Sequence, residues 1–273
     1  MHNESQPALG IDPVSGQPYS VPPMSETPPP GKLLAPVWHT VLMVAIMLGN
    51  SAFTAFVAAR FTRAAHTISG GERYMSYISS IALELLLLAI LWVGLRRYHT
   101  TIRELVGGRW ESAEDFLLDV AIALGFCIVS YVILAGLSYA MGMAKPGQLE
   151  ETKKLASMLA PHSWGALLVF ICLSSVAGFV EELIFRGYLQ RQIGALTGNI
   201  YVGLVVSALI FGAGHGYEGT RRMVLIFIFG MMFGVLTLLR KSLRPGMIAH
   251  ASFDAFQGVL LFVATRTGLI PIR

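Results

Sequence analysis

Three short clusters of ionisable residues lie inside apolar runs of this sequence, and their side chains are of the types that activate water. The clusters lie in AGFVEELIFRGYLQ (residues 177–190), LIFGAGHGYEG (209–219) and HASFDAF (250–256). Carboxylates and imidazoles in one site can act as general acid and base in a hydrolysis. An uncompensated charge inside a membrane costs about 2.5 to 3.5 kcal/mol, so these residues need partners or a function. The residues concerned are Glu181, Glu182, Arg186, His215, His250 and Asp254.

The first cluster combines an expected ion pair with a spare carboxylate. Glu182 and Arg186 stand four residues apart, which places both side chains on one face of a helix, where they can pair. Glu181 points about 100° away around the helix and lacks that partner. A carboxylate in a low-dielectric site can serve as a general base near neutral pH. The alternative is that both glutamates reach water at the helix end.

The other two clusters supply imidazoles. Three glycines surround His215 and leave room beside its ring, although a histidine at a membrane interface is often only a hydrated surface residue. His250 and Asp254 are four residues apart and share a helical face. A carboxylate can orient a histidine and fix its tautomer, but the same pair can also be a simple polar contact between helices.

The elements that carry these clusters are predicted membrane helices. With 54% hydrophobic and 13% charged residues and a mean hydropathy of +0.62, the chain is unlike a soluble domain. Seven apolar runs approach the roughly 17 to 25 residues that span a bilayer: 36–59, 77–95, 116–143, 164–189, 199–215, 223–239 and 245–265. The sequence therefore predicts an all-α, polytopic bundle of seven transmembrane helices, or eight if the third or fourth run is broken.

The three clusters fall on the fourth, fifth and seventh predicted spans, so they can meet only if the bundle encloses an intramembrane polar cavity. Two further carboxylates, Glu84 and Asp119, lie inside the second and third runs. Each can line the same cavity or form a hydrogen bond to a neighbouring helix. We assign neither of them a catalytic role from the sequence.

The chain divides into three predicted parts. Residues 1–33 are rich in Pro, Ser and Gly and are predicted to form a disordered tail. Residues 34–160 hold the N-terminal transmembrane helices, and residues 161–273 hold the helices with the three clusters. The net charge is +4, but the basic residues lie at the ends of the apolar runs, as headgroup anchors do. Membrane lipid is therefore an expected partner, and nucleic acid is not.

The three clusters resemble the motifs of the CPBP family, also known as the Abi or type II CAAX prenyl endopeptidase family of intramembrane proteases. The matching motifs are EExxxR at 181–186, FxxxH at 211–215 and HxxxD at 250–254, in the family's order on successive hydrophobic segments. The resemblance covers about residues 164–273. It implies an all-helical, multi-pass endopeptidase with its site in the bilayer and a peptide or lipidated protein as its substrate.

The resemblance also implies roles for the residues of the motifs. By this analogy Glu181 and His215 hold and deprotonate the attacking water. Glu182 and Arg186 then correspond to the supporting ion pair, in agreement with their spacing.

The third motif departs from the usual family pattern, because many members have asparagine where this chain has Asp254. The resemblance implies that His250, with Asp254, faces the developing oxyanion. An amide can donate a hydrogen bond to an oxyanion, whereas an ionised carboxylate cannot. Asp254 must therefore be protonated or act on His250, and we favour a carboxylate that holds His250 in an orientation suited to donation.

A catalytic zinc ion is the alternative to a metal-free mechanism. Glu181, His215 and His250 would be a sufficient ligand set, since such sites use three protein ligands and keep a fourth position open. The sequence contains no HExxH, and a glutamate that binds zinc is no longer free to act as the base. We expect that no cofactor is required, with Zn²⁺ as the alternative.

Two functions from different classes remain open at this point. The first is a glutamate- and histidine-dependent endopeptidase of the bacterial cytoplasmic membrane. The second is a non-catalytic scaffold, or a proton or ion path, that uses the same polar cavity. Glu182 and Arg186 beside a spare Glu181 favour the protease, because a proton relay does not need such an arginine and a catalytic site benefits from rigid support.

Overall fold

The computed structural model describes residues 9–11, 18–20, 31–63 and 70–269. Strands β1 (Leu9–Ile11) and β2 (Pro18–Ser20) pair antiparallel. Most of the predicted tail lies outside the described residues, so its disorder stays a prediction. The helices are α1 (Val37–Arg63), α2 (Gly70–Arg96), α3 (Ile102–Val106), α4 (Ala113–Ala140), α5 (Pro146–Leu159), α6 (Trp164–Glu182), a π-helical segment (Leu183–Leu189), α7 (Gln190–Thr197), α8 (Ile200–Gly214), a 3₁₀ turn (Gly216–Glu218), α9 (Thr220–Arg240) and α10 (Arg244–Arg266).

Six helical segments of the described residues are long and apolar enough to cross a membrane. Five of them are α1, α2, α4, α9 and α10, and the sixth is the continuous unit of 34 residues formed by α6, the π-helical segment and α7. The predicted fifth span is α8, whose 15 residues fall short of the usual spanning length. The polytopic helical bundle is therefore confirmed, whereas the count of seven or eight spans is not.

The close approach of α6 and α10 brings the first and third clusters together. At Gly178 a Cβ atom would lie 2.6 Å from the backbone nitrogen of Ala251, so any larger residue would push the two helices apart. Gly178 lies one turn before Glu182, and Ala251 follows His250 directly. The glycine thus sets the distance between the glutamate pair and the histidine of α10.

The first cluster lies where α6 passes into the π-helical segment. The backbone N–H of Gln190 donates to the carbonyl of Phe185, five residues earlier, and the hydroxyl of Ser207 in α8 donates to the same carbonyl at 2.7 Å. Such single wide turns inside α-helices are frequent at functional sites. Here the wide turn also ties α8, which carries His215, to the helix that carries the glutamates.

Asp119 forms a second group of buried charge, here called the Asp119 cluster. Arg240 donates to its Oδ1 at 3.1 Å, while Arg244 and the indole N–H of Trp110 contact its Oδ2 at 3.1 and 2.9 Å. The carboxylate is fully buried. It joins α4 to the end of α9 and the start of α10. Of the two roles considered from the sequence, Asp119 therefore has the hydrogen bond to a neighbouring helix.

Candidate active site

A cavity of about 260 Å³ lies between α1, α2, α6, α8 and α10, and it has room for several water molecules. All three motifs contribute to its lining, so the predicted polar cavity is present. Apolar side chains of α1 and α2 form much of the opposite side, among them Met47 and Leu83. The ionisable residues that line it are Glu84, Glu181, His215, Tyr217 and Asp254.

The ion pair predicted by the spacing of the first motif is present and buried. Nη1 of Arg186 donates to Oε1 of Glu182 at 2.8 Å, and Nη2 donates to the carbonyl of Gly230 at 3.2 Å. The guanidinium also lies over the rings of Phe211 and Phe233, at 4.5 and 5.0 Å from their centroids. These contacts hold the arginine in one position and compensate its charge.

His250 is held between carboxylates at both of its ring nitrogens. Its Nδ1 lies 3.0 Å from Oε1 of Glu182, so this nitrogen carries a proton and donates it to the carboxylate. Its Nε2 lies 3.5 Å from Oε2 of Glu181 and 3.6 Å from Oδ2 of Asp254. Phe233 stacks on the ring at 5.2 Å between centroids. The buried histidine thus stands behind the two carboxylates that line the cavity.

The residue that orients His250 differs from the one expected. We expected Asp254 to hold this histidine, but its carboxylate lies beyond hydrogen-bond distance and faces Nε2. Glu182 takes the orienting position at Nδ1 instead. The spacing of a motif reveals only partners on the same helix, whereas this contact depends on the approach of α6 and α10 at Gly178.

His215 lies at the end of α8 with a fixed tautomer. Its Nδ1 is 2.9 Å from the carbonyl of Phe211, which can only accept, so Nδ1 carries a proton and the lone pair of the neutral ring is on Nε2. Ser51 of α1 secures the turn, because its hydroxyl donates to the carbonyl of Ala213 at 3.0 Å and accepts from the N–H of Gly216 at 3.2 Å. Sequence reasoning missed Ser51, since nothing in its neighbourhood marks it as a partner of a turn far along the chain.

Two further residues belong to the cavity. Glu84 lines it from α2, so of the two isolated carboxylates this one faces the cavity and Asp119 does not. Tyr217 was also missed, although it follows His215 by only two residues. Burial raises the pKa of Tyr217 well above its usual value, and the charges of Glu218 and Glu181 add to the effect, so the phenol stays protonated. Tyr217 also lines a second cavity of about 570 Å³ beside α5.

The described residues do not fit the zinc alternative. No three His, Cys, Asp or Glu side chains in the described ranges stand close enough together to hold a metal ion. His250 and His215 each use Nδ1 for another partner, so only Nε2 of each ring could face an ion. Glu181, His215 and His250 do not meet around one point as a ligand set.

Comparison with known proteins gives one match. Residues 163–256 match the family model described as Type II CAAX prenyl endopeptidase Rce1-like. This region runs from the residue before α6 to within α10, so it includes all three motifs and leaves α1 and α2 outside. No curated protein and no solved structure matches the chain. Residues 163–256 are thus similar to the type II CAAX prenyl endopeptidases, the family whose motifs the three clusters resemble.

Proposed function

We propose that this chain is an intramembrane endopeptidase in which Glu181 and His215 activate the water that attacks a peptide bond. The observation that carries the proposal is that Glu181, His215 and Asp254, from three different helices, line one cavity that can hold water. A buried carboxylate that faces water beside an imidazole has the geometry required of a general base. The family match over the same helices supports a protein or peptide substrate at the membrane.

Water activation uses the two free acceptors of the cavity. Glu181 is 17% exposed, and that exposure is toward the cavity, while His215 offers the lone pair of Nε2. A water molecule that donates one hydrogen to each of them keeps a lone pair free for the substrate carbonyl. Glu181 then takes the proton as the oxygen–carbon bond forms. General-base assistance of this kind contributes about 10²- to 10⁴-fold to a rate.

His250 is proposed to stabilise the oxyanion as an imidazolium. Because carboxylates face both of its nitrogens, the ring is best satisfied with a proton on each. Nε2 lies 3.5 Å from Glu181 and 3.6 Å from Asp254, so an oxyanion that enters between these two carboxylates can accept a hydrogen bond from its N–H. Glu182 and Arg186 hold the ring in place before the reaction begins. A preorganised oxyanion donor contributes about 10²- to 10³-fold.

The proposed substrate is a peptide segment next to the membrane, such as a lipidated C-terminal tail. The apolar side of the cavity, with Met47, Leu83 and Leu87, suits an aliphatic chain or an apolar side chain near the scissile bond.

We propose that no metal takes part, because the donor set does not fit zinc. Activity that survives a chelator such as phenanthroline supports this view, whereas stoichiometric bound zinc together with loss of activity on chelation contradicts it.

The proposal can be tested with the full chain in nanodiscs and a farnesylated peptide that ends in a CAAX sequence. We expect cleavage, measured by mass spectrometry, to fall at least about 100-fold in Glu181→Gln, since the general base is lost. The matched control is Glu150→Gln, at a side chain of α5 that is 70% exposed. Cleavage by Glu181→Gln at the rate of the original protein would rule out the proposed base.

The natural substrate can be sought in cells. Membrane fractions from cells with the original protein and with Glu181→Ala are compared by proteomics. A C-terminal or loop fragment that disappears in the variant identifies the cleaved protein. A phenotype that survives both Glu181→Ala and His215→Ala would instead favour a scaffold.

A further inference from the structure

We propose that Glu84 is a second catalytic carboxyl of this site and supplies the proton that the leaving amine requires. The inference rests on the proposed function and assigns a residue outside the matched region 163–256. Glu84 lies on α2 and lines the same cavity as Glu181. The three motifs of the matched region do not include it.

The position of Glu84 on α2 supports this role. Ser80, Leu83 and Leu87 line the cavity with it, and their spacing defines one face of the helix. That face is turned toward α6, the helix that carries Glu181. The carboxyl group therefore enters the water-holding space from α2, while Glu181 enters it from α6, so a peptide bond within the cavity can meet both carboxyl groups.

The second line of support is the hydrogen bonding of Glu84. Its Oε2 is buried and has no hydrogen-bond partner among the described residues. A buried carboxylate without donors is costly when ionised, whereas the protonated acid can use its own O–H toward water in the cavity. Asp119 shows the opposite case, since donors contact both of its oxygens.

The three carboxyl groups of the cavity, Glu84, Glu181 and Asp254, differ in charge state. Carboxyl groups that face one small cavity do not readily ionise together, and one of them retains a proton. Glu181 and Asp254 are the better carboxylates, because Nε2 of His250 lies 3.5 and 3.6 Å from them. The retained proton therefore belongs to Glu84, which gives the site a base and an acid before substrate binds.

The proposed step is balanced in atoms and charge. Water adds through its oxygen to the carbonyl carbon, and its proton passes to Glu181. The carbon–nitrogen bond of the tetrahedral intermediate then breaks, the electron pair goes to nitrogen, and that nitrogen takes the proton of Glu84. The products are a carboxylic acid and an amine. Glu181 returns its proton to Glu84 through water in the cavity, and both groups regain their starting states.

A comparison of leaving groups tests this role. An amide needs protonation of its nitrogen before the bond breaks, whereas an aryl ester at the same position releases a stable phenolate without it. We expect Glu84→Gln to lose at least about 100-fold in kcat on the farnesylated CAAX peptide and less than about fivefold on its p-nitrophenyl ester analogue. Glu150→Gln should change neither rate.

Glu84→Asp provides a second variant, because it keeps an acid in a shorter side chain. It should recover part of the amide rate lost in Glu84→Gln, and thermal unfolding in the nanodisc checks that both variants fold. Equal losses on the amide and the ester, or full amide activity in Glu84→Gln, overturn the inference. If Glu181→Gln still abolishes cleavage in those cases, the proposed function stands and only the role of Glu84 falls. If Glu181→Gln also has no effect, both proposals fall.

Discussion

The Asp119 cluster and the cluster around Glu182 both place charge inside an apolar bundle. They differ in how many of the carboxylate oxygens accept hydrogen bonds. Both oxygens of Asp119 have cationic or indole partners, and Asp119 does not line the cavity. Around Glu182 only one carboxylate oxygen is used, and it serves both Arg186 and His250. Its Oε2 is buried without a hydrogen-bond partner among the described residues.

This difference separates a structural contact from a site. A buried charge in a membrane protein suggests function by default, yet a carboxylate whose two oxygens both have donors, as in Asp119, has little left to offer a substrate. The cluster around Glu182 keeps Glu182 and Arg186 fixed, while Glu181 and Asp254 line the cavity. Substitutions in the Asp119 cluster should therefore lower stability alone, whereas substitutions in the cluster around Glu182 should also lower the rate of cleavage.

The largest effect is expected from Arg186→Leu. This change leaves Glu182 buried without its cation, and breaking such a pair typically costs about 3 to 5 kcal/mol of stability. Thermal unfolding in detergent measures the loss. The double variant Glu182→Leu, Arg186→Leu should recover stability but not cleavage, because His250 then lacks the acceptor at Nδ1. Recovery of cleavage in the double variant would contradict the orienting role of Glu182.

We expect Asp119→Asn to lower stability by a smaller amount and to leave the rate of cleavage per folded molecule unchanged. The two arginines are left without their carboxylate, but their side chains are 33% and 15% exposed and can reach water. We therefore expect a loss of about 1 to 3 kcal/mol, with kcat per folded molecule unchanged. Unfolding and cleavage of the farnesylated CAAX peptide are measured on the same preparation. A loss of kcat without a loss of stability would mean that Asp119 is linked to the site.

The smallest effect is expected from Asp254→Asn. Glu182 already orients His250, so the charge of Asp254 only supports the imidazolium from 3.6 Å. We expect kcat to stay within about tenfold for Asp254→Asn, which still presents an oxygen to the cavity, and to fall further for Asp254→Ala. The same peptide assay measures both. Equal collapse of the two variants would assign Asp254 an essential role that the structure gives to Glu182.

The sequence predicted the contacts within a helix better than those between helices. The pair of Glu182 and Arg186 followed from a four-residue spacing, and the apolar runs predicted four of the six long helices to within about three residues. The second predicted run began six residues too late and the fourth ended eight residues too early. The contact of Glu182 with His250 did not follow, since it joins residues 68 positions apart. The count of spans was less secure because α8 is short, and hydropathy alone does not register that its 15 residues fall below spanning length.

The two isolated carboxylates, Glu84 and Asp119, show the same limit of prediction from a single sequence. Nothing in the local sequence distinguished Glu84 from Asp119, since both interrupt an apolar run once. Their difference lies in which neighbouring helix supplies a cation. Arg240 and Arg244 stand more than a hundred residues after Asp119, whereas Glu84 meets a cavity. A single sequence does not show which helices pack together, so it does not show which carboxylate meets an arginine and which meets a cavity.

Part of the cavity is lined by α1 and α2, which carry none of the three motifs. The three motifs line the cavity from α6, α8 and α10, while Asn50, Leu83 and their neighbours on α1 and α2 bound the remaining space, which Glu84 enters from α2. Exchange of those two helices for others would thus change the shape of the cavity and remove Glu84, while Glu181, His215 and Asp254 stay in place. A fragment trimmed to residues 163–256 would keep all three motifs but lose Glu84 and the cavity walls that α1 and α2 supply.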